Sequence, residues 1–142
     1  MINIYLIILS TITFILSHKI VKEAKEEKQI KKYIEKILPI FLSFNIAALF
    51  NEVLVAVFIA ILSYILLQIN IKNTKKFVVI SATLTATTLI SQNMEFYYFT
   101  LIATFLTGTN SYLQSNYKNL WIETVLFALT TILIYSTLYI AL

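Results

Sequence analysis

ILPIFLSFNIAALFNEVLVAVFIAILSYILLQINI, residues 37–71, holds one charged side chain, Glu52, and is bounded by Lys36 and Lys72. Its 35 residues would form a single helix about 52 Å long, whereas one crossing of a bilayer's hydrocarbon needs about 30 Å. The polar pair Asn51-Glu52 lies near the middle, so the chain is expected to cross, turn there and cross back. That predicts helices over about 33–50 and 52–70, with Pro39 tolerated near the start of the first. Lysines then stand at both ends on one side, which the positive-inside rule makes the cytoplasm.

The same logic extends along the chain. All eleven basic residues are lysines, confined to residues 19–36, 72–76 and 118, and the apolar runs between these places contain no cation. Each run is long enough to cross a bilayer and return. With six crossings every lysine falls on one side, so the expectation is an all-α, polytopic membrane helix bundle. It would have about six transmembrane helices in three hairpins, one domain over 1–142, and both termini extracytoplasmic. Composition agrees: 59% of residues are hydrophobic and 13% charged, about half the charge of an average soluble domain. Mean hydropathy is +0.84. The location that follows is a cell membrane, inner or archaeal, with the lysine loops cytoplasmic.

Upstream, the run at 2–17 has no cation before it and a lysine cluster after it, the reverse of a signal peptide's charge order. It reads as a first helix with its start outside. Residues 18–36 carry seven lysines and four glutamates, with Ile20, Val21, Ala24, Ile30 and Ile34 at helical spacing. This segment is expected to be a cytoplasmic helix or loop whose lysines, beginning at Lys19 and ending at Lys36, meet anionic lipid headgroups. Downstream, helices are expected over about 77–91, 95–113 and 120–142, with the second outer turn at 91–95. Phe96, Tyr97, Tyr98, Tyr135 and Tyr139 would form an outer aromatic belt, and Tyr112, Tyr117 and Trp121 an inner one. Sliding residues 52–94 onto 95–137 gives seven identities in 43 aligned positions, among them Glu52 on Glu95 and Thr87-Thr88 on Thr130-Thr131, which suggests that helices three to four and five to six are related.

Chemistry is sparse. The chain has no cysteine, aspartate or arginine and one histidine, His18, so thiolate metal sites, zinc hydrolases, nucleophilic triads and aspartyl proteolysis have no residues to work with. No glycine-rich phosphate loop exists, and the net charge of +4 comes from cytoplasmic loops, which reads as orientation and lipid contact rather than nucleic-acid binding. No cofactor, metal site or enzymatic activity is expected. Glu123, about one turn inside helix six, is the best single candidate for handling an ion, although pairing with Lys118 or a lysine of 72–76 is the simpler expectation. Hydroxyl stripes run along helix four (Ser81, Thr85, Thr88) and helix five (Thr100, Thr104, Thr107), and Asn45 lies on helix two. Small hydroxylated residues ordinarily mark where membrane helices pack.

Two functions follow. The first is a non-catalytic small subunit or scaffold of a larger membrane complex, partnered by other subunits or by itself. The second is a small permease or channel whose path runs between helices four and five, lined by Asn45, Ser81, Thr85, Thr88, Thr100, Thr104 and Thr107, with Glu123 at one end.

Overall fold

The computed structural model describes residues 2–23, 27–69, 72–114 and 120–142. Among these the chain is all-α, without strands: α1 (Ile2–Glu23), α2 (Glu27–Ala47), α3 (Val53–Ile69), α4 (Thr74–Ser91), α5 (Met94–Gln114) and α6 (Leu120–Ala141). Two of the six, α1 over Ile4–Glu23 and α6, are long and apolar enough to cross a membrane; α3 is apolar throughout but has 17 residues. The helices begin and end where their sequences allow. Asn73 caps α4 and Asn93 caps α5, each side-chain oxygen accepting from the backbone N–H three residues on. Gln92 closes α4 in the left-handed conformation, φ 53°.

Several boundaries differ from the sequence expectation. α1 continues past residue 17 to Glu23 and α2 starts at Glu27 rather than near 33, so the charged helix or loop expected over 18–36 is helical and forms the ends of two helices, with residues 24–26 outside the described ones. The Lys19/Glu23 and Glu27/Lys31 spacings support helix there, being one turn apart with opposite charges. Pro39 consequently lies inside α2 rather than near its start, where its missing N–H leaves the Glu35 carbonyl without its helical donor. α2 also ends at Ala47, so its apolar part is shorter than expected.

Pairing differs as well. Instead of three hairpins, α2 packs along α3 and α4 along α5, each joined by a short turn, while the main partner of α1 is α5 and that of α6 is α4. Residues related by the 43-residue shift occupy unlike positions, since α3 sits at the rim on α2 whereas α5 touches α1, α2 and α4.

α4 is the hub. It contributes Phe77 and Leu84 to a cluster with Leu38 and Leu42 of α2, Val78 and Ala82 to one with Phe14 and Phe127, and Leu89 to one with Ile7 and Tyr97. Ten of its 18 residues are buried. The stacked rings of Phe14 and Phe127, 5.1 Å between centroids, fasten α1 to α6 beside it.

Serine and threonine fill much of the interior, and much of the surface is apolar. Among the described residues, 17 buried side chains are polar and 18 apolar, while 39 large apolar ones are exposed. Water-soluble monomers rarely leave contiguous apolar surface beyond a few hundred Å2.

Candidate functional site

The hydroxyl stripes come together between α4 and α5. Ser81, Thr85, Thr88, Thr100, Thr104 and Thr107 are all buried, and Ser81 Oγ lies 3.3 Å from Thr104 Oγ1 across the two helices. Nearly all of the hydrogen bonding, however, stays within each helix. Thr85 donates to the Ser81 carbonyl, Thr88 to Leu84, Thr100 to Phe96, Thr104 to Thr100 and Thr107 to Ala103, at 2.7 to 3.0 Å. A hydroxyl bonded one turn back presents a methyl group and a small profile to the neighbouring helix, which suits close packing. Asn45 stands apart on α2, where its amide nitrogen donates to the Phe41 carbonyl at 2.8 Å.

Glu123 is 1% exposed in the first turn of α6. The expected partner Lys118 lies outside the described residues; among those described, Thr74 of α4, not a lysine of 72–76, donates its hydroxyl to Oε1 at 2.5 Å. The other carboxylate oxygen, Oε2, is buried and has no hydrogen-bond partner. The carboxylate therefore ties the first turns of two parallel helices, and its placement in the first turn also suits the positive end of the α6 dipole. Glu52 and Glu95 are exposed beside their turns, as turn polarity requires.

At the same end α5 and α1 come into close contact. Gly108, the chain's single glycine, sits where α5 crosses α1, and a Cβ there would meet the Ser17 hydroxyl and lie 2.8 Å from the Phe14 carbonyl oxygen. The close approach lets His18 of α1 hydrogen-bond to the Gly108 backbone. Its ring stands 4.9 Å from Phe14 and 6.4 Å from Tyr112, and its Nε2 is buried with no partner. The run Thr107-Gly108-Thr109-Asn110-Ser111, entirely small or polar and entirely buried, is the signal that marks this contact in the sequence. At the opposite end of α1, Tyr97 of α5 donates its hydroxyl to the Leu6 carbonyl at 2.7 Å and lies 3.0 Å from Ser10 Oγ.

A cavity of about 330 Å3 opens between α1, α5 and α6 beside His18, with Lys19, Lys22, Tyr112 and Thr124 in its wall. Among the described residues no cluster of three or more histidine or acidic side chains could hold a metal ion. No protein family, curated protein or solved structure matches the chain.

Proposed function

We propose that the chain is a non-catalytic membrane protein crossing the bilayer six times, with its lysine-bearing helix ends in the cytoplasm, and that it serves as a small subunit or scaffold of a larger membrane assembly. Three contacts support the sidedness. His18 against Tyr112, Glu35 accepting from Gln114 at 2.6 Å, and Thr74 with Glu123 gather the end of α1, the charged part of α2, the start of α4, the end of α5 and the start of α6. These are the regions adjoining the lysine clusters, so one end of the bundle is basic.

The observation that carries the assembly reading is the coverage of α3. Ala56, Ile59, Ala60, Ser63 and Leu67 form one stripe of this helix that is wholly or partly covered, on the side packed against α2. The rest, including Leu54 at 85% and Phe58 at 68%, is exposed and uncharged. An apolar helix fixed along a single stripe suits contact with another membrane helix better than contact with a soluble domain. Pull-down of the tagged chain from its own host in mild detergent or native nanodiscs, followed by native mass spectrometry, tests this. Stoichiometric membrane partners are the expected result, and a clean monomer would sink it.

The second reading, a small permease, draws on the Ser81–Thr104 pair and on the unpartnered Glu123 oxygen. The commitment of the seam hydroxyls to their own helices favours the first.

A further inference from the structure

We propose that the cavity between α1, α5 and α6 binds the phosphate of an anionic phospholipid. The inference rests on the membrane-embedded reading above and adds to it a discrete site. At about 330 Å3 the cavity is at the small end of ligand pockets, large enough for a headgroup but not for a whole lipid. Lys19 and Lys22 stand three residues apart on one face of α1, both exposed and both in the cavity wall. The first turn of α6 closes the far side with Leu120 and Trp121. Backbone N–H groups in such a turn have no helical acceptor, and the helix dipole is positive there.

Glu123, the acid of that turn, is directed to Thr74 on α4 and is not part of the wall. Among the described residues that line the cavity there is consequently no carboxylate to hold a choline or other cationic headgroup. Two further features favour a lipid over a soluble phosphate. Ile15, one turn deeper than Lys19, gives the wall an apolar lower edge along which an acyl chain would run. Trp121, 77% exposed at the rim, has the position of an interfacial anchor, so the cavity sits at headgroup depth.

The experiment uses the full chain in detergent micelles and in vesicles. Phosphatidylglycerol, phosphatidylcholine and inorganic phosphate are offered separately, with bound lipid counted by native mass spectrometry. The wild type is expected to retain phosphatidylglycerol over phosphatidylcholine by about tenfold. The double variant Lys19→Gln/Lys22→Gln should fall to near parity. Lys75→Gln/Lys76→Gln, which removes the same charge at the same end of the bundle but outside the cavity, should keep the preference. All four lysines are exposed, and circular dichroism establishes that each variant is folded. Equal loss in both doubles would reduce the effect to general surface charge and overturn the site. Displacement of the lipid by inorganic phosphate would overturn the lipid as its ligand. A chain that enters vesicles of both lipids without preference sinks this proposal alone, whereas one that enters neither sinks the membrane reading.

Discussion

Gly108 of α5 and Ser17 of α1 touch so closely that no side chain fits between them: a carbon added at Gly108 would collide with the Ser17 hydroxyl and approach the Phe14 carbonyl to 2.8 Å. Gly108→Ala is expected to force α1 and α5 apart and to cost about 1–3 kcal/mol, the usual range for overpacking. Thermal unfolding in detergent reads this as a lowered midpoint. Ser17→Ala in the same background should recover part of the loss, because the hydroxyl is the first atom the new carbon meets. An unchanged midpoint for Gly108→Ala would show that the crossing is looser than described.

Thr74 and Glu123 lend themselves to a paired test. Thr74→Val removes the donor and leaves both oxygens of a 1%-exposed carboxylate unpartnered, so a loss of about 1–3 kcal/mol is expected. Glu123→Gln retains an oxygen that still accepts from Thr74, and it should be much milder. Chemical denaturation of the two variants side by side checks the order, and the reverse order would mean that the carboxylate's charge has another partner.

The α4–α5 seam discriminates between the two functional readings. Because Thr85 and Thr104 donate to the carbonyls of Ser81 and Thr100 on their own helices, replacing each by the near-isosteric valine should cost about 0.6 kcal/mol or less apiece. Ion and solute flux through reconstituted vesicles should stay at background before and after. A wild-type flux that these two substitutions abolish would favour the permease.

Sidedness is directly measurable because the chain contains no cysteine. Single cysteines at Asn51 and Asn93, in the turns after α2 and α4, should react with a membrane-impermeant maleimide applied from outside. Cysteines at Lys22 and Lys75 should react only after permeabilisation. Labelling of Lys22→Cys and Lys75→Cys from opposite sides would exclude six crossings.

The sequence made the turns legible where a polar group interrupts an apolar run: Asn51-Glu52 falls between α2 and α3, and Gln92-Asn93 between α4 and α5. Charge was informative at the other end: the lysines and glutamates after Ser17 stand in i,i+4 pairs of opposite sign that suit helix, and α1 runs on to Glu23. The stripes on α4 and α5 were visible as periodicity, and their burial follows from the small size of serine and threonine. What periodicity does not carry is partner choice. That Glu123 meets Thr74, or that Tyr97 reaches Leu6 across 91 positions, depends on which helices lie side by side, and α5 packs against α1 rather than chiefly against its sequence neighbour α6.

The hub position of α4 bears on how the protein is made. This helix enters all three core clusters, yet it is among those not apolar enough to qualify as a membrane span by themselves, since threonine and serine occupy the faces that its neighbours cover. In a bilayer the organising element is thus poorly suited to leave the insertion machinery unaided. On the membrane reading, α5 and α6, the helices that α4 packs against most and that follow it in the chain, would carry it into the bilayer.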